Sequence, residues 1–333
     1  MEKNWKGLPY FGISEFYKNK FGGKVYKIPV SVVDSCPNRE GIKGMETCIF
    51  CDVWGSSADA NSFKMNLKEQ IEQYHSKIQK KYKAEKFLVY FQAYTNSFTR
   101  LSALKESFEV ASQFDFVKGY VVGTRPDCIS KGVLDLWQHY HEKSFLSVEL
   151  GVQSFFDDQL LFIKRGHTAQ QSLDAIEKIH KNTNVDIGIH LIFGLPGETD
   201  EQIIETANII NQLPISNVKL HNLHVLKNTG LESLYHKGEF LPISREAYCQ
   251  KVELFLKYLS PHVYIHRLAA YSSRWEELIA PDWTSDKMGT HQAIIDFLRK
   301  NQSYQSQEHN STDLETEQKR KVLFSRATPL VSL

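Results

Sequence analysis

The sequence predicts an α/β protein built around a parallel sheet, and two observations carry that expectation. Short apolar, β-branched runs alternate with longer segments of helical period from residue 24 onward. The runs fall at 24–33 (KVYKIPVSVV), 87–91 (FLVYF), 120–122, 145–152 (FLSVELGV), 185–193 (VDIGIHLIF) and 218–223, with a late candidate at 262–265. Helical segments lie between them, at 66–83, 100–113, 129–142, 155–163 with 168–181, 199–212 and 244–259. Such alternation reads as βαβ units. The second observation is at the helix starts. Asn66 with Glu69, Thr168 with Gln171 and Thr199 with Gln202 each place a cap residue three positions before Glu or Gln. In a capping box that spacing satisfies the first free N–H groups of a helix. Six or so βα units make either a doubly wound sheet or a barrel, and periodicity alone does not choose. No short-period repeat of the solenoid kind is present.

Composition bounds the function. The 333 residues suffice for one large domain or two ordinary ones, and 41% hydrophobic content can build a sizeable core. Lys plus Arg number 40 against 39 Asp plus Glu, a net charge of +1. No whole-protein field therefore draws in nucleic acid or an anionic membrane. Lys3, Lys6, Lys18, Lys20, Lys24 and Lys27 outweigh Glu2, Glu15 and Asp34 near the start, which reads as a solvated face. No stretch approaches the ~20 apolar residues of a membrane span, and MEKNWKGLPYFG has no apolar signal core. The expected location is cytoplasmic, where thiols stay reduced and clustered cysteines suggest metal or catalysis. After about residue 300 the composition turns polar (NQSYQSQEHNSTDLETEQKRK), so 301–333 is expected to be a mostly disordered tail.

Unusual polar residues cluster just after the apolar runs: Gln92-Ala93-Tyr94-Thr95-Asn96, Gly123-Thr124-Arg125-Pro126-Asp127, Gln153-Ser154, Gly194 to Thr199, and His224 to Thr229. In parallel α/β folds the C-terminal strand ends form the working face. Each loop alone reads as ordinary turn chemistry; together they favour a site at that face. The sharpest signal follows the first run. Three of the five cysteines lie there, with eleven residues between Cys36 and Cys48 and two between Cys48 and Cys51. A C-x-x-C pair with a third Cys nearby points to metal ligation. Zinc wants a fourth protein ligand to close a tetrahedron, and the next candidate, His75, falls in an expected helix. A cluster on three thiolates leaves one iron open for chemistry. Cys128 and Cys249 are isolated and read as structural.

Several segments match a known family in order and spacing. KVYKIPV, CPNREG with CIFC, YFQAYTNSF, VGTRPDCI, ELGVQSF, KRGHT, HLIFGLPGET and KLHNLHVLK span about residues 21–230, and YIHRLAA follows later. On these motifs the chain resembles the radical S-adenosylmethionine (SAM) superfamily, and within it a bacterial subgroup related to the catalytic subunit of Elongator. The resemblance implies a partial (β/α)6 TIM-like barrel over residues 1–240, a short C-terminal α/β extension over 241–300 packed on it, and the tail. It implies a 4Fe–4S cluster on Cys36, Cys48 and Cys51, with SAM on the open iron. By matching position, Phe50 would pack near the adenine and Gln92, Ala93 and Tyr94 would present backbone to the SAM amino group. Gln153 would bond the ribose, Arg165 would pair with the carboxylate, and His190, Ile192 and Gly194 would lie along the adenosine. Arg165 alternatively caps the helix expected at 155–163, and Phe50 and His190 alternatively serve the core. Three departures stand out. The first cysteine gap is eleven residues where the superfamily usually has three, YFQAYTN replaces a Gly-Gly-Glu motif, and Ser31 to Ser35 replaces small and aromatic residues. Nothing in the sequence accounts for the last.

The implied reaction is reductive cleavage of SAM to a 5′-deoxyadenosyl radical, which takes hydrogen from a substrate C–H bond. The implied partner is an electron donor such as a flavodoxin or ferredoxin, with no membrane. RNA and a small metabolite are the two substrate classes. Tyr94, Arg125 and Cys128, then Asp127, His221, His224 and Lys227, are the substrate-side candidates. The competing reading is a zinc-stabilised, non-catalytic RNA- or protein-binding module.

Overall fold

The protein is described here from a computed structural model that covers residues 5–52, 54, 64–272 and 275–309. Its backbone divides into two compact units: Gly23–Gly188, and Met1–Gly22 with Ile189–Leu333.

The first unit alternates strand and helix as the apolar runs require. Its strands are β1 (Val25–Val30), β2 (Lys86–Phe91), β3 (Val117–Thr124) and β4 (Phe145–Gln153). Helix α2 (Leu67–Tyr82) follows β1, α3 (Leu101–Ala111) follows β2 and α4 (Lys131–His141) follows β3. After β4 come α5 (Asp157–Phe162) and α6 (Ala169–Asn182). The pairs β1–β2, β2–β3 and β3–β4 are parallel. Residues 87–91 are at most 4% exposed, because a parallel sheet covered on both faces buries every side chain.

Strand β5 (Asp186–Phe193) spans the boundary, with its first three residues in the first unit and its last five in the second. The second unit adds α7 (Asp200–Gln212), β6 (Asn217–Asn222), β7 (Val225–Leu226), α8 (Gly230–His236), α9 (Arg245–Tyr258), β8 (Tyr264–Arg267), β9 (Leu278–Ala280) and α10 (Lys287–Lys300), and it includes α1 (Ile13–Phe21). β8 is parallel to β6, while β7 and β9 form a small antiparallel pair. Strand order in the main sheet is β1-β2-β3-β4-β5-β6-β8. A doubly wound sheet reverses its order at a switch point; this sheet runs in chain order throughout, as a barrel does.

All three expected capping boxes are present, on α2, α6 and α7. α1, α8 and α10 fall outside the expected set. Gly12 offers α1 no side-chain cap, and Asp286 caps α10 with Gly289 three positions on, so neither start shows a capping box.

Residues 301–309, placed in the polar tail by composition, are instead packed. Gln305 is fully buried: its side chain accepts from the Phe11 amide at 2.8 Å and donates to the Ser260 and Val263 carbonyls, each at 2.7 Å. Its amide donates to the Pro9 carbonyl at 2.9 Å. Composition misled because these polar atoms are satisfied by backbone rather than by water. The rest of the expected tail, 310–333, lies outside the described residues. Removing the side chain strands the Phe11 amide and the Val263 carbonyl and leaves the Ser260 carbonyl only its bond from the Val263 amide at 3.3 Å. Gln305→Ala should therefore lower unfolding free energy by about 1–3 kcal/mol, read from urea melts.

Candidate active site

The three cysteines sit in the loop that leaves β1. Buried Gln70 of α2 holds its start, accepting from the Ser31 amide at 2.8 Å and donating to the Ser31 carbonyl at 3.0 Å. Within the loop the Glu40 amide donates to the Cys36 carbonyl at 3.1 Å, and the Cys51 amide to the Cys48 carbonyl at 3.0 Å. The latter is the tight turn that a C-x-x-C pair makes. Asn38, 2% exposed, donates to the Glu46 and Lys164 carbonyls at 2.6 and 2.9 Å and accepts from Arg125. Arg125 is also 2% exposed and grips Asp127 through Nε and Nη2, both at 2.9 Å. Its loop position suggested substrate contact; its guanidinium instead braces the cysteine loop.

Two arginines face the thiols. Arg39 Nη2 lies 3.6 Å from Cys51 Sγ and donates to the Asp52 carbonyl, and its guanidinium stands 5.1 Å from the centre of the Tyr94 ring. Arg165 Nη1 lies 3.7 Å from Cys48 Sγ, while Nε and Nη2 donate to the Gly151 carbonyl at 3.2 and 2.8 Å. Arg165 thus spends its donors on strand β4 and a thiol, and none of those contacts caps α5. A side chain at Gly151 would put its Cβ 2.6 Å from Arg165 Nη2 and 2.9 Å from Gln153 Nε2, so both side chains would have to shift. Burial, then the nearby Arg125, lowers the Arg165 pKa. Burial pushes the Cys51 thiol up while Arg39 pulls it down, and Cys48 and Cys36 raise it further, which places the three sulfurs within reach of one another's charge. Burial and Asp127 push the Cys128 thiol up to about 12, so it stays protonated and poorly nucleophilic.

The loop after β2 is fixed by Asn96, whose Nδ2 donates to the carbonyls of Phe91, Ala93 and Gly123 at 2.8, 3.2 and 2.9 Å. Ala93 is buried, and the Gln92 amide donates to the Val30 carbonyl at 3.1 Å. Tyr94 and Gln153 hold φ of 54° and 71°, a left-handed conformation that costs a non-glycine residue and concentrates at working sites. Phe50 is half-buried in the Cys48–Cys51 turn.

In the second unit, His190 on β5 lies 5.2 Å, ring to ring, from His221 on β6, and Arg267 Nη2 on β8 approaches the His221 ring nitrogens at 2.6 and 3.0 Å. Burial and then Arg267 hold His221 well below its usual pKa. Burial also lowers His224, whose Nδ1 lies 3.1 Å from the Asn222 carbonyl. Ile192 is buried. Gly194, at φ 85°, would drive a Cβ to within 2.7 Å of Ile243, and its amide donates to Glu198 at 2.9 Å. Lys227 is exposed just after β7. Arg39, Asn38, His167 and Arg267 were not among the sequence candidates, although the first three stand in the CPNREG and KRGHT motifs and Arg267 in YIHRLAA.

Residues 30–210 match the family model of the radical SAM superfamily, and residues 215–300 match that of the radical SAM C-terminal domain. The chain therefore belongs to the radical SAM superfamily, a family of enzymes that bind a 4Fe–4S cluster and SAM and draw on an electron donor. It is similar to protein MJ0486 of Methanocaldococcus jannaschii, with 35% identity over 86% of this chain and 88% of that one. It is also similar to protein YhcC of Escherichia coli K12, with 31% identity over 80% and 85%. Among solved structures it resembles the archaeal Methanocaldococcus infernus Elp3 lacking residues 1–46. That match has a TM-score of 0.65 and 17% identity, covering 84% of this chain and 64% of the other, and it supports the partial barrel fold. Among the described residues, no helix is long and apolar enough to cross a membrane.

The residues present fit the cluster. All three thiols are free of disulfides, two face guanidinium donors, and Arg39 Nε is buried with no acceptor among the described residues. Among the described residues, no three His, Cys, Asp or Glu groups converge on a single metal ion.

His167 supplies a pH prediction. Burial, then Arg165 and Arg125, depresses its pKa to about 3. The unfolded chain takes up a proton near pH 6.5 that the folded chain refuses. Stability is therefore full above about 6.5 and falls as pH drops toward 3. Wild type should lose on the order of 1–2 kcal/mol more than His167→Gln between pH 6.5 and 5, measured by chemical denaturation.

Proposed function

We propose that this protein is a radical SAM enzyme whose 4Fe–4S cluster is held by Cys36, Cys48 and Cys51, with SAM bound beside it. The observation that carries the assignment is the pair of guanidiniums, one half-buried and one buried, whose N–H groups face two of the three thiols, Arg39 at Cys51 and Arg165 at Cys48. Such N–H groups are placed to hydrogen-bond the sulfurs when these serve as ligands. When bound, reduced cluster and SAM together supply a 5′-deoxyadenosyl radical that removes hydrogen from a substrate C–H bond.

The chain's own residues then hold and shield. Arg165 is the carboxylate partner, through the guanidinium N–H groups that Gly151 and Cys48 leave unused. The strained backbones at Tyr94 and Gln153 turn polar atoms toward the ligand's amino group and ribose. Phe50 covers the adenine, and Gln92 and Ala93 line the amino end. His190, Ile192 and Gly194 follow the adenosine, with Gly194 leaving the room that Ile243 fills. In this reading residues 1–240 form the radical SAM core and 241–300 its extension. The electron donor is a flavodoxin or ferredoxin. RNA is the substrate class the motif resemblance to the catalytic subunit of Elongator favours, and comparing modified nucleosides between a deletion strain and its parent tests it.

Anaerobic reconstitution of wild type should give about four irons with sulfide per chain. Cys36→Ala, Cys48→Ala and Cys51→Ala should each lose the cluster, and Cys128→Ala and Cys249→Ala should keep it. Dithionite-reduced wild type should convert SAM to 5′-deoxyadenosine, and Cys51→Ala should not. Tightly bound zinc instead of iron in protein never exposed to air would favour the binding module.

Arg165→Ala should weaken SAM binding by about 1.5–3 kcal/mol in calorimetry, the usual cost of a lost hydrogen bond to a charged group. An unchanged affinity would leave Arg165 only its contacts to Gly151 and Cys48.

A further inference from the structure

We propose that Arg39 is a positioning residue that raises the reduction potential of the cluster held at Cys51; the inference rests on the cysteine assignment above. Arg39 lies inside the eleven residues between Cys36 and Cys48. That segment is built to present it. The Ile42 amide donates to the Pro37 carbonyl at 3.0 Å and the Glu40 amide to the Cys36 carbonyl at 3.1 Å, which coil the chain around residue 39. The preceding residue, Asn38, is fastened on three sides by Glu46, Lys164 and Arg125. Lys164 also pairs with Glu46, tying the far end of the segment to the turn after α5. A side chain leaving so fixed a backbone has few places to go.

The place it takes is beside the cluster ligand. Nη2 points at Cys51 Sγ from 3.6 Å and also holds the Asp52 carbonyl next to it. The Tyr94 ring, 5.1 Å away, supports the cation. Nε is buried and meets no acceptor among the described residues, so a donor is left over at this spot. A positive charge and an N–H donor beside a thiolate stabilise the more negative, reduced cluster more than the oxidised one. Arg39 and Cys51 are both half-buried, so that difference is screened only in part. The cluster then accepts an electron from its low-potential donor more readily than three thiolates alone would allow. Arg165 has a similar distance to Cys48, but its other donors are committed to Gly151. Arg39 alone of the two is carried by the cysteine loop itself.

The test uses full-length protein, reconstituted anaerobically without SAM, as wild type, Arg39→Gln and Arg39→Lys. Iron and sulfide are counted first, and the midpoint potential is then read by spin resonance during a dithionite titration. The expected result is a full cluster in all three, a clearly more negative midpoint in Arg39→Gln, and a midpoint in Arg39→Lys between the other two, because charge is kept while the fork is lost. A wild-type midpoint in a fully loaded Arg39→Gln overturns the proposal. Loss of the cluster in both variants also overturns it, by making Arg39 a brace for the loop. Wild type that takes up no iron and sulfide defeats the cysteine assignment itself, which the first count reveals before any potential is measured.

Discussion

A guanidinium charge taken out of water must be paired where it lies, and the burial of Arg125 organises the site around that need. Its partners are Asp127, gripped through two donors, and Asn38. Asn38 has then only its amide hydrogens left, and these fix the carbonyls of Glu46 and Lys164. The path of the whole cysteine loop follows from one buried charge. The same region holds Arg165, so two guanidiniums stand against one carboxylate, Asp127. Their joint field keeps His167 neutral.

The neighbouring loops obey the same economy of donors. Asn96 uses both amide hydrogens on three carbonyls, which closes the turn after β2 against the end of β3. With that turn fixed, Tyr94 is held in the left-handed region instead of relaxing out of it. Gly151 keeps the space that Arg165 and Gln153 occupy. Strain at Tyr94 and Gln153 costs on the order of 1–3 kcal/mol each, and it persists because packed strands on either side over-determine the backbone.

Much of the site was legible in the sequence because its chemistry is local. The C-x-x-C turn, the three capping boxes and the polar loops after β2, β3 and β4 are each written within a few residues. Arg39 was not legible, although it lies in the cysteine segment. An arginine next to Glu40 in a polar loop reads as an ordinary surface residue until the loop folds back on Cys51. Arg125 was read toward substrate for the same reason: its partner Asn38 is 87 residues away in sequence. In the second unit, His221 and His224 were read as candidates, but Arg267, which approaches the His221 ring, comes from a strand 46 residues later.

The alternation of apolar runs with capped helices determined an α/β protein with a parallel sheet, and cysteine spacing determined where a metal centre would sit. Both are properties of chain segments shorter than about twenty residues, where backbone propensity and side-chain period act alone. Chain-order pairing of seven strands, which separates barrel from doubly wound sheet, was decided only in the tertiary structure. So was the fate of 301–309: polar by composition, yet packed because Gln305 meets backbone groups of residues 9, 11, 260 and 263. A buried polar side chain is stable only where distant backbone groups complete its hydrogen bonds, and no local pattern records that they will.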